Sequence, residues 1–308
     1  MCRPHEISRS AGVSWMTLSV LCAGALGVPP LPTHQIDGNT GVCITPTAYF
    51  ANPPEANEVF GAPSISGTYA SVGEKDFQAF VITENLWGRA EIGYSLERIG
   101  LGEWPGMVRA ATGLRVQEDA SLHNFNARVL ILEEERSKNI APPAISLGAH
   151  LKYHQDLDEI DEQLAGTCDT LGADNDTGID FTVTATKTIA HWLPNPLIIS
   201  AGLRNGDAVQ TGLFGFAGER RTTFEGSVIY FLKDRLLIAA EYRQKPNLIH
   251  PCTAGGVPLV KPENDWWDIC LGYVVNDHMT MAAGYARFGN ILNDREDCVF
   301  AVQVKYEF

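Results

Sequence analysis

The chain has 308 residues, 45 % hydrophobic and 19 % charged, which is enough apolar material for a packed fold and excludes global disorder. Its 37 acidic against 23 basic residues give a formal net charge of −14, which excludes nucleic-acid binding through concentrated positive charge. Beyond residue 30 no apolar run approaches the roughly 18 residues of a membrane helix, so a helical membrane protein is excluded, whereas a barrel of alternating strands is not.

Residues 1–25 read as a secretory signal peptide. Arg3 and Arg9 precede the apolar stretch 13–22, and Ala23-Gly24-Ala25 supplies an A-x-A cleavage site. A buried N-terminal helix is the competing reading, and Leu21 before Cys22 does not fit a lipoprotein. Residues 26–61 carry Pro53 and Pro54 and little periodicity. They read as a lead-in segment or a short plug, and residues 62–308 read as the barrel.

From residue 63 onward, short segments alternate with period two, the mark of a strand with one apolar and one polar side. They fall at 63–72, 76–86, 89–98, 123–133, 145–153, 179–186, 197–204, 222–232, 236–243, 267–275, 279–288 and 298–308. Twelve is an even number, as a single-chain bacterial barrel requires. If the first strand runs outward, the connections after even-numbered strands are short. Those after odd-numbered strands are mostly long, with Gly73-Glu74-Lys75 as the exception. Aromatic residues gather towards both strand ends, as expected of two interfacial girdles. The expected fold is therefore all-β, a closed antiparallel transmembrane barrel with short periplasmic turns and long extracellular loops.

The last strand alternates Phe300, Val302, Val304, Tyr306 and Phe308 against Val299, Ala301, Gln303, Lys305 and Glu307. An aromatic ending in this pattern resembles the terminal signal of outer-membrane barrels, with Tyr306 and Phe308 as the insertion signal. The stretches 144–153 (AISLGAHLKY), 175–187 (NDTGIDFTVTATK), 212–218 (GLFGFAG) and 239–248 (AAEYRQKPNL) go further. With the acidic-tryptophan run 264–268, they make the chain similar to a bacterial outer-membrane family known as domain of unknown function 3034. That resemblance implies an outer-membrane barrel and no agreed activity. A shorter one, at 38–49 (GNTGVCITPTAY), is to exopolysaccharide-linked outer-membrane barrels.

Arg128, Lys152, Asp180, Arg204, Glu225, Glu241, Arg243 and Asp268 fall on the inward side and are the candidate pore-lining residues. Two readings stay open: the lining of a narrow path for small polar solutes, or an ion-paired filling of a sealed structural or assembly barrel, linked to envelope polysaccharide export. Twelve strands lie between barrels filled by side chains and open porins. Lys152, Arg204 and Arg243 form a candidate basic arc at the outer mouth. No enzyme motif, cofactor or metal site is expected, the acidic residues of 155–180 reading as a solvated loop with a bridging divalent ion as the alternative. The histidines have no evident outward serine partner for a phospholipase-type site. The partners expected are outer-membrane lipid, the barrel-assembly machinery and a small polar solute, with no nucleic acid. A Cys168–Cys252 disulfide is expected between two long loops, since an exported compartment permits one.

Overall fold

The computed structural model describes residues 33–134, 142–190, 193–249, 252–254 and 257–308. The signal-peptide segment 1–25, Trp192 and the side chain of Cys252 lie outside the described residues. Twelve antiparallel strands close into one barrel. They are β1 (Ser64–Val72), β2 (Lys75–Leu86), β3 (Ala90–Gly100), β4 (Asp119–Leu132), β5 (Ala144–His154) and β6 (Thr177–Ile189), followed by β7 (Leu197–Ala208), β8 (Phe216–Lys233), β9 (Leu236–Arg243), β10 (Trp266–Val274), β11 (Met279–Arg287) and β12 (Val299–Glu307). Each pairs with its sequence neighbour, and β12 returns to β1 with Val302 opposite Tyr69. No edge is left to template aggregation.

Alternation sets the two faces. Leu151, Phe181, Leu203, Ile269, Phe300 and Val302 point outward, and Leu203 is 53 % exposed. Their strand neighbours Lys152, Asp180, Arg204, Asp268 and Gln303 are buried inside, and Arg204 is 5 % exposed. An apolar belt around the whole outer wall far exceeds what a water-facing surface carries, so its solvent is lipid. Aromatic contacts run across neighbouring strands near the long-loop rim, with Trp267 to Tyr285 at 6.1 Å and Tyr285 to Phe300 at 5.5 Å. At the other rim Tyr306 packs edge-on against Phe308 at 5.0 Å, and Phe308 donates its backbone N–H to Pro63 O. Both point outward, as an interfacial anchor should.

The turns sort by rim. One rim carries the connections 87–89, 133–143, 190–196, 234–235 and 275–278, and the opposite rim carries 101–118, 155–176, 209–215, 244–265 and 288–298, with the two-residue connection 73–74 as the exception to its length. The short-turn rim is the periplasmic one by the asymmetry of outer-membrane barrels. The tight β2–β3 turn puts Trp87 at φ 53° and Gly88 at φ 68°, the left-handed pair a two-residue hairpin favours.

Two loops differ from expectation. The stretch 205–221 is mostly strand, because β7 and β8 continue as a hairpin beyond the belt. Arg220 holds that extension together, donating to Asn205 Oδ1 at 3.0 Å and Asp207 Oδ2 at 3.0 Å. The acidic stretch 155–180 contains two short helices, α1 (Leu157–Gln163) and α2 (Thr167–Leu171). Its carboxylates satisfy backbone donors: Asp156 accepts from Ser121 N at 2.8 Å, and Asp161 accepts from Cys168 N at 2.6 Å.

Candidate functional site: the occupied lumen

The lumen holds the chain's own N-terminal segment. Residues 33–51 thread through it, and nearly every one is buried. A small hairpin pairs Thr33–Gln35 with Asn39–Gly41. Its turn needs Gly38, at φ 97°, and a Cβ there would lie 2.5 Å from Asn126 Nδ2. On the wall, a Cβ at Gly93 would lie 2.0 Å from Gly38 O. These two glycines let the hairpin tip lie against β3 and β4.

Three charged clusters hold the plug. In the first, Asp37 Oδ2 lies 3.0 Å from Arg243, 3.4 Å from Arg204 and 3.8 Å from Lys152. Asp180 pairs with Lys152 at 3.2 Å and Arg204 at 3.1 Å, and Glu225 pairs with Arg204 at 3.1 Å. The second cluster is Glu241, whose carboxylate accepts from Cys43 N and Thr45 N at 2.7 Å, Ile44 N at 3.1 Å and Thr45 Oγ1 at 2.6 Å. Hydrogen bonds to an ionised acceptor are the strong ones. In the third, Arg128 is paired with Glu91 at 2.5 Å and donates to Thr47 O at 2.6 Å and Thr40 O at 3.2 Å. Glu91 in turn accepts from Thr40 N at 3.1 Å.

Neutral contacts complete the docking. Gln303 exchanges two hydrogen bonds with the His34 backbone, at 2.9 and 2.8 Å. The His34 ring bridges Ser66 at 2.9 Å and Thr83 at 3.0 Å. Towards the short-turn rim, Ala48 N donates to Thr186 Oγ1 at 2.7 Å, and the Tyr49 hydroxyl meets Thr188 Oγ1 at 2.6 Å as well as Glu134.

The eight candidate pore-lining residues all sit on the inner wall and are all buried. The structure gathers Lys152, Asp180, Arg204, Glu225 and Arg243 around Asp37 and sets Arg128 and Glu241 on other parts of the plug. Asp268 faces Glu241 across the β9–β10 ladder. Two expectations are corrected. The basic arc does not border an open mouth: its three cations converge on one plug carboxylate, and the loop 209–215 folds over them. Lys152 Nζ donates to Thr211 O at 2.7 Å, and His154 Nε2 meets Leu213 O at 3.0 Å. Nor is the expected Cys168–Cys252 bridge formed, because Cys168 keeps a free thiol. Burial, with Asp161 beside it, pushes that thiol's pKa up to about 12.

Sequence reasoning missed Asp37 altogether. The local signal was weak: a lone Asp-Gly turn in a segment with no strand period. Among the described residues no three metal-binding side chains converge. His150 is buried in the lumen, where it bonds Asn126 Oδ1 at 2.6 Å and Thr182 Oγ1 at 2.9 Å.

The closed ring, the outward apolar belt and the charged interior define an outer-membrane β-barrel. The chain belongs to the family described as protein of unknown function (DUF3034), whose model matches residues 32–302. No curated protein sequence matches it. Among solved structures it is similar to the NanC porin (9 % identity, TM-score 0.47, 80 % of this chain and 99 % of that one). It is also similar to the KdgM porin (10 %, TM-score 0.46, 80 % and 99 %) and to the COG4313 outer membrane channel from Pseudomonas putida F1 (11 %, TM-score 0.44, 82 % and 97 %). Similarity at this level carries nothing about solute.

Proposed function

We propose that the protein is an outer-membrane channel for small polar solutes, closed by its own N-terminal segment. One observation carries the reading: most of the wall charges that grip the plug already have counter-charges on the wall. Arg204 has Asp180 and Glu225, Lys152 has Asp180, and Arg128 has Glu91. When the plug leaves, these pairs persist, and the plug's polar groups exchange protein partners for water. A buried charge stripped of every partner would cost several kcal/mol; this wall avoids most of that cost. The opened lumen is then polar along β4 to β9, suited to hydrated solutes.

The sealed-barrel reading is favoured by a different fact, that the loop 209–215 and the plug fill the lumen in two layers. Planar-bilayer recording separates the two. Wild-type protein should be mostly silent with brief openings. A Δ33–52 variant, checked for heat-modifiable migration, should give stable stepwise conductance. A folded Δ33–52 barrel that conducts nothing would establish the sealed barrel instead.

A further inference from the structure

Above the plug the lumen changes character. A chamber lies between the plug residues Ile36 and Ile44 and the folded-in loop residues Leu213 and Phe214, against the inner faces of β1, β2, β10 and β11. Its volume is about 60 Å³. A single water needs roughly 10–15 Å³, and a cavity that takes benzene is roughly 150 Å³, so there is room for a molecule of three or four heavy atoms and not for an aromatic ring. The space exists because β11 presents Ala282, Gly284 and Ala286 to the interior where bulkier residues would fill it.

The chamber wall is almost entirely apolar, yet three polar atoms on it have no hydrogen-bond partner among the described residues. They are Trp266 Nε1, Gln210 Oε1 and Asp268 Oδ1, on side chains 4 %, 8 % and 5 % exposed. Leaving such a group unmatched costs its full desolvation, and native proteins leave few. Two of the three are held in place. Gln210 is tethered by its Nε2, which donates to Glu263 at 2.8 Å. The Trp266 ring packs on Phe288 at 4.6 Å, with the Lys245 ammonium 5.4 Å and the Arg243 guanidinium 5.9 Å from its centre.

Trp266 and Gln210 also border a second, polar pocket under the long-loop rim, formed with Arg204, Arg243, Gln244 and Lys245. They therefore stand at the neck between a polar pocket and an apolar chamber, one offering a donor and the other an acceptor. From this geometry we infer that the chamber binds a small uncharged molecule with a short apolar body and a hydroxyl group, of the short-alcohol class. The hydroxyl oxygen accepts from Trp266 Nε1 and its proton goes to Gln210 Oε1, while the body fills the space beside Ala282 and Ala286. Carboxylates are disfavoured because the apolar wall would strip their water and offers no cation in return, and sugars carry more hydroxyls than the chamber has partners. Binding here stands apart from the channel reading; that reading adds only that the site lies on the path.

The test is titration of the full chain in lipid nanodiscs with ethanol and with fluoroethane, which has the same size but no hydroxyl, each referenced to empty nanodiscs to cancel partition into lipid. Wild type should bind both saturably, and Ala286→Leu, or Ala282→Val should that variant misfold, should lose at least tenfold for both. Trp266→Phe keeps the aromatic wall and removes the donor. It should weaken ethanol about fivefold to tenfold, the weight of one hydrogen bond, and leave fluoroethane unchanged. Non-saturable uptake identical in wild type and chamber-filled variants would overturn the site, leaving water as its occupant. Equal losses for both probes in Trp266→Phe would overturn the hydroxyl assignment.

Discussion

At the residue scale, Glu241 shows how one wall side chain can hold a backbone. Three successive N–H groups of the plug, from Cys43 to Thr45, turn towards its carboxylate, and the Thr45 hydroxyl adds a fourth bond. In Glu241→Ala these backbone donors lose their acceptor inside the lumen, at about 1–3 kcal/mol each until water enters. The plug should then be released while the barrel stays closed. Limited proteolysis should cut within 33–52 far faster than in wild type, with heat-modifiable migration retained; equal cutting rates would mean that Glu241 does not hold the plug. Cys168 gives a prediction with a sign. Its pKa, raised to about 12, keeps it a neutral thiol at pH 8, and the thiolate is the nucleophile. Exposed Cys298 should therefore take up iodoacetamide at pH 8 while Cys168 stays unmodified, and Cys168 labelling should rise only as the pH nears 12. Mass spectrometry of the alkylated chain reads both.

At the scale of elements, the barrel and the plug differ in what wrote them into the sequence. Each strand has lipid on one side, so its pattern is local: Leu203 next to Arg204, or Val302 next to Gln303, fixes the face without knowledge of the rest of the fold. Arginine at Leu203 should cost about 2–4 kcal/mol near the bilayer midplane, whereas Ser200→Ala on the inner face should cost far less, as denaturant titration in micelles would show. The plug has no such solvent pattern. Every side chain of 33–51 meets protein, so polar and apolar residues follow the shape of the lumen and not a period. Asp37 became meaningful only once Lys152, Arg204 and Arg243, on three separate strands, surrounded it. The hairpin-extending role of Arg220 was hidden for the same reason. Where plug and wall meet most closely, at Gly38 and Gly93, a side chain has no room. Gly93→Val should displace the hairpin tip and raise proteolysis of 33–52 as Glu241→Ala does, without moving the strand register.

For the whole molecule, the issue is whether the plug is a movable part, and its charge makes that measurable. With the plug docked, Lys152, Arg204 and Arg243 face Asp37, Asp180 and Glu225, and buried Glu97 on β3 lies against Asp37, Lys152 and Arg243 as well. Removal of Asp37 with the plug leaves three cations against three carboxylates on the wall. Fixed charge on a pore wall sets which ions pass, so the Δ33–52 barrel should pass cations and anions nearly alike, even at low salt, where screening is weakest. Reversing Arg204 and Arg243 to Glu in that background turns the ring to one cation against five carboxylates. The reversal potential in a salt gradient should then move to the cation side while single-channel steps remain. Selectivity unchanged by the double reversal, in a barrel that still conducts, would place the filter away from this ring and leave its charges a purely structural clasp for the plug.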